Sequence, residues 1–120
     1  MRPIVLLLAG LAVLAGGPDA FAHALLRQAQ PAVGATVKAA PDELLLVFSE
    51  AVEPAFSRVA VTDAQGRPVA TGNLHTDPND ATHLLMGVRR LGPGTYKVVW
   101  HATSVDTHKT EGAYQFTVQP

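Results

Sequence analysis

The sequence predicts an all-β domain: a Greek-key β-barrel or sandwich of immunoglobulin-like character with about seven strands. Three observations predict it. Turn-forming residues punctuate the chain at Pro31, Gly34, Pro41, Pro54, Gly66-Arg67-Pro68, Gly72, Asp77-Pro78-Asn79-Asp80 and Gly92-Pro93-Gly94, with short apolar runs between them. After the first 22 residues, no window sustains a helical period. Two runs alternate apolar and polar residues, which is the period of a half-buried strand.

The elements follow in order. Ala24 to Gln28 predicts a short opening strand. Leu44 to Phe48 is a continuous apolar strand. Phe56 to Thr62 alternates, with Phe56, Arg58, Ala60 and Thr62 on one face and Ser57, Val59 and Val61 on the other. Gly66-Arg67 turns the chain into Pro68 to Thr71. Thr82 to Val88 is a further strand. Thr95 to Thr103 is the clearest, because Tyr96, Val98 and Trp100 share a face. Ala113 to Val118 closes the domain, with Phe116 and Val118 facing inward. There are no repeats, no low-complexity segments and no domain linkers, and the chain lacks the cysteines of an immunoglobulin disulfide.

The first 22 residues read as a cleaved export signal. Arg2 supplies a positive charge, and Ile4 to Leu14 is apolar except at Gly10. Gly16-Gly17-Pro18 breaks any helix, and Ala20-Phe21-Ala22 fits the small-x-small cleavage pattern. The apolar run is shorter than the roughly 20 residues that span a bilayer. Cleavage after Ala22 predicts a single domain over residues 23–120, beginning with His23. The net charge of −1 argues against nucleic-acid binding, which usually shows a basic patch. With no cysteine, the exported domain is held by packing alone and has no thiolate for metal binding or catalysis. No later stretch is long and apolar enough to cross a membrane. These features predict a soluble, monomeric periplasmic protein.

Five histidines are candidate ligands: His23, His75, His83, His101 and His108. A terminal His23 carries two nitrogen donors, its α-amine and its ring Nδ1, which can close a chelate on one metal ion. Their reference pKa values, near 8 and near 6.5, let copper displace both protons at neutral pH. Two nitrogens in one plane suit Cu(II), which also stands highest in the divalent affinity order. Asp106-Thr107-His108 supplies a second donor pair. In extended backbone, residues two apart project from one face. The segment falls in a loop between the last two strands, where sites commonly lie. If the first strand pairs near this loop, the site gathers three nitrogens and one oxygen.

The residues from His23 onward resemble the CopC family of periplasmic copper-binding, copper-resistance proteins. The resemblance rests on His23-Ala24, Pro31-x-x-Gly34, Val47-Phe48-Ser49-Glu50, Gly94-Thr95-Tyr96-Lys97-Val98-Val99-Trp100, Ser104-Val105-Asp106-Thr107-His108 and Gly112-x-x-x-Phe116-x-Val118. It implies a Greek-key β-barrel and one Cu(II) per chain, bound by His23, Asp106 and His108. It also implies a CopD-like inner-membrane partner. Some members hold Cu(I) in a methionine-rich loop. Here the only methionine after the signal is Met86, and the matching region, Thr62 to Val69, has none. Thioethers select Cu(I), so no Cu(I) site is expected.

Glu50 and His101 are candidates to orient a ligand histidine by hydrogen bonding; solvated strand residues are the plainer reading. His75 and His83 flank the Asp77 to Asp80 loop and read as surface residues. Two other functions compete. A copper enzyme with an N-terminal histidine brace would need positions open to oxygen and a flat aromatic platform, but aromatics make up only 6% of the chain. A metal-free immunoglobulin-like interaction module would not need His23 as a terminus.

Overall fold

The computed structural model describes residues 24–120. The expected signal, its cleavage point and His23 lie outside the described residues. Eight strands form two four-stranded sheets. They are β1 (Leu26–Gln30), β2 (Thr36–Val37), β3 (Glu43–Phe48), β4 (Arg58–Thr62), β5 (Thr71–Asp77), β6 (Asp80–Val88), β7 (Gly94–Thr103) and β8 (Lys109–Val118). One sheet has the order β1-β3-β6-β5 and the other β2-β8-β7-β4. Pairing is antiparallel except between β2 and β8. Of the two forms expected, barrel or sandwich, the chain adopts the sandwich. The two sheets stay separate, and the chain crosses repeatedly between them. No helix among the described residues is long and apolar enough to cross a membrane.

Alternation decides which side chains fill the space between the sheets. On β7, Tyr96, Val98, Trp100 and Ala102 are buried. On β8, Tyr114, Phe116 and Val118 face them. The continuous apolar run of β3 sorts the same way. Leu44, Leu46 and Phe48 are buried, while Leu45 and Val47 are half-buried on the outer face. Phe48 meets Trp100 edge-on at 5.2 Å and 75°, and Tyr96 stacks on Phe116 at 5.6 Å. Such pairs add about 0.5–1.5 kcal/mol beyond burial. The Trp100 indole lies over Gly112, its register partner on β8. A Cβ there would stand 2.6 Å from Trp100 Cζ2, so only glycine leaves room for the ring.

Three departures from expectation have local causes. Phe56 does not begin β4. Pro54–Phe56 forms a 3-10 turn, closed by the Ser57 hydroxyl donating to Glu53 O at 2.7 Å. Phe56 is left 73% exposed on its outside. The edge strand β5 exposes most of its residues, so it carries no apolar alternation to read. The third is β2, which has only two residues.

The turn after β4 is closed by internal bonds. Asp63 Oδ1 accepts from the Gln65 and Arg67 amides, each at 2.9 Å, and Oδ2 lies 3.1 Å from Arg67 Nε. The Arg67 amide, against the opposing effect of partial desolvation and with the Gln65 amide and the guanidinium adding to it, holds the carboxyl below its ordinary value of 3.8. Folding therefore favours the ionised form. That stability is present above the unfolded value and is lost as pH falls through the lowered folded value. Asp63→Asn is expected to lower the urea midpoint slightly at pH 7 and to approach wild type near pH ~2. Urea titrations at the two pH values check it.

Candidate metal centre

The β7–β8 hairpin is in register from Gly94↔Val118 to Thr103↔Lys109, so residues 104–108 must reverse the chain. The reversal is tight. Ser104 N donates to His108 O at 2.9 Å, and Thr107 N donates to Ser104 O at 2.8 Å. Thr107 takes a left-handed φ of 73°. The segment is thus the loop expected between the last two strands, but as a tight turn its backbone is not extended between Asp106 and His108. The hairpin's register forces this. The turn still brings the two side chains together, with Asp106 Oδ2 at 3.7 Å from His108 Nδ1. Both remain accessible, at 60% and 42% side-chain exposure.

Ser104 organises this pair and is 1% exposed. Its hydroxyl donates to Asp106 Oδ1 at 2.5 Å and accepts from the His108 amide at 3.2 Å. The Ser104 hydroxyl, more than any other group, holds the Asp106 carboxyl below its usual range, while partial desolvation opposes it and the neighbouring His108 adds a smaller push. Asp106 is therefore an anion at neutral pH, as a metal-binding carboxylate must be.

The beginning of the described chain is fastened to the same corner. Thr110 Oγ1, just beyond His108, donates to Ala24 O at 2.7 Å. Leu25 N donates to Ser49 Oγ, and Ser49 N to Leu25 O, both at 2.8 Å. Ala24 is fully buried. The 49–53 stretch in turn holds the turn from its other side. Val105 N donates to Ala51 O at 3.1 Å, and Val52 bridges Ser104. Glu50 lies in this stretch, half-buried.

His101 sits further up β7. Its Nε2 is 3.0 Å from Glu111 Oε1 on β8, and its other register partner is Arg58 on β4. It lines a groove of about 670 Å³ together with Leu25, Phe56, Trp100 and Lys109. His75 Nδ1 lies 3.2 Å from Asn73 O, and His83 Nε2 lies 3.3 Å from Asp80 Oδ2, both in the β5–β6 hairpin. Among the described residues no three His, Cys, Asp or Glu side chains gather as a metal cluster. Asp106 and His108 are the two candidate residues that the turn brings together. The sequence shows Ser104 within the Ser-x-Asp-x-His run without marking its role, and nothing in it marks Thr110. Hydroxyls at those positions have no periodic signature; their meaning appears only once the hairpin is paired.

The fold and the paired donors can be set beside known proteins. The CopC domain profile matches residues 26–119. The chain belongs to the CopC family. Protein YobA of Escherichia coli K12 is 41% identical over 103 residues, covering 85% of this chain and 83% of YobA. The crystal structure of CopC from Methylosinus trichosporium OB3b superposes with a TM-score of 0.77 at 33% identity, covering 82% of this chain and 95% of that one. PcoC, described as a methionine-rich copper resistance protein of Escherichia coli, gives 0.72 at 33% identity, covering 81% and 99%. Other CopC relatives are named copper resistance protein C and copper transport protein. The family is thus one of copper resistance and copper transport.

Proposed function

We propose that this CopC-family chain is exported, trimmed to begin at His23, and binds one Cu(II) that it buffers or carries in the periplasm. One observation carries the reading. The Asp106–His108 pair, braced by Ser104, lies at the corner where Thr110 fastens Ala24, the residue that follows His23. The His23 amine and imidazole would complete a set of three nitrogens and one oxygen, which suits tetragonal Cu(II). The assignment to Cu(II) alone is supported by Met86. It is 3% exposed in the core, and the turn at 63–67 is occupied by an aspartate–arginine pair. Soft thioether donors, which select Cu(I), are therefore not offered by a surface loop.

Delivery to a CopD-like membrane protein is part of the same proposal. Leu25, Phe56 and Val105 are exposed by 50%, 73% and 60%, on segments that border the metal corner. Exposed apolar side chains beside a cargo site suit transient docking of an acceptor. A carrier also fits a donor set in which Asp106 takes a coordination position that an oxidase would leave open.

Titrating the protein that begins at His23 with Cu(II), followed by EPR, tests the reading. One tetragonal, nitrogen-rich copper per chain is expected. Asp106→Ala and His108→Ala should each weaken binding by more than about tenfold. Wild-type affinity in both variants would overturn it, and copper-dependent oxidation of a polysaccharide would favour an enzyme.

A further inference from the structure

We propose that Ser104 is the positioning residue of the copper centre: it orients the Asp106 carboxylate and fixes His108 through a single buried hydroxyl. The proposal rests on the Cu(II) reading above and specifies how that site is preorganised. Three polar atoms of Ser104 bond into the turn that carries both donors. Its N donates to His108 O, its O accepts from Thr107 N, and its Oγ accepts from His108 N at 3.2 Å. The same Oγ spends its one proton on Asp106 Oδ1 at 2.5 Å. A serine hydroxyl has one donor and two acceptor positions, so donating to one ligand while accepting from the other is within its capacity.

The consequence is directional. Oδ1 of Asp106 is engaged by Ser104, while Oδ2 is the oxygen near His108 Nδ1, at 3.7 Å. Ser104 thereby presents one oxygen to the metal and selects one-oxygen coordination over chelation by the whole carboxylate. Without the hydroxyl, Asp106 is a 60%-exposed side chain on a surface turn, free to rotate. Ser104 is itself held from behind. It is 1% exposed and bridges Val52, so its hydroxyl is a fixed reference point. Groups that orient metal ligands in this way typically account for about 10–100-fold in affinity.

A double-mutant cycle tests this, with Cu(II) affinity from chelator competition and the EPR hyperfine pattern as readouts. Ser104→Ala is expected to weaken binding by about 10–100-fold and alter the spectrum. In an Asp106→Ala background the same change should cost no more than about a few-fold, because only the longer bond to the His108 amide is left for the hydroxyl to make. Equal losses in both backgrounds would mean a merely structural serine and would overturn the proposal. So would wild-type affinity and spectrum in Ser104→Ala. Ser104→Thr and Ser104→Val form a second pair of the same shape that differs only in the hydroxyl. Thr should retain the wild-type spectrum and Val should lose it; identical behaviour would also overturn the proposal. If the wild-type chain itself takes up no stoichiometric Cu(II), it is the Cu(II) reading that fails.

Discussion

A chain that begins at His23 is expected to bind Cu(II) at least about a hundredfold more tightly than the same chain with its His23 α-amine acetylated, a difference of about 2.8 kcal/mol. The reason is chemical. A free α-amine has a reference pKa near 8, and copper displaces its proton at neutral pH. Acetylation turns that nitrogen into an amide with no free amine beside it to anchor the metal, and so removes it from the chelate with the His23 ring. Asp106, His108 and the His23 imidazole are untouched. Acetylation is also expected to leave thermal stability unchanged, because the fastening to Thr110 and Ser49 begins at Ala24 and Leu25. Competition titration of the two proteins, each checked by intact mass, reads the difference. Equal affinities would show that the amine is not a donor, leaving a weaker site of imidazoles and one carboxylate.

The parts of the fold that could be read from sequence are those where burial writes a pattern. Tyr96, Val98 and Trp100 announce β7 because one face of that strand meets the core and the other does not. β5 has no such contrast, since the edge of the sheet leaves most of it in water. Phe56 fits the alternation of Arg58 to Thr62, which places it on a strand face in the sequence. Pro54 and the Ser57–Glu53 bond override that pattern and turn it outward. The site divides the same way. Asp106 and His108 are visible as metal-binding residue types two apart, but the geometry that joins them is not. An extended strand would also have placed them on one side. The chain uses a left-handed Thr107 instead, because the hairpin on either side of the loop leaves it only a tight reversal. Ser104 and Thr110 gain their roles from residues that are distant in sequence or across a turn, a relation that no local pattern encodes.

Phe48→Ala should have the largest effect on stability. Phe48 is 2% exposed and packs edge-on against Trp100. Truncating such a ring costs about 3–5 kcal/mol, from lost burial and the cavity left behind. Domains of this size have only about 5–15 kcal/mol in total, and this one has no cysteine to form a supporting disulfide. At about 4–8 °C per kcal/mol, the melting temperature should fall by at least about 12 °C. The effect should also reach the metal corner. Phe48 is the last residue of β3, and Ser49 beside it makes both bonds that hold Leu25. A cavity at Phe48 lets this strand end shift, and with it the segment that leads to His23. Copper should therefore raise the melting temperature of Phe48→Ala less than that of wild type at the same metal concentration, because stabilisation by a ligand follows its affinity for the folded state. Calorimetry with and without Cu(II) measures both effects. A large fall in melting temperature with an undiminished copper-induced rise would show that the core and the metal corner are energetically separate.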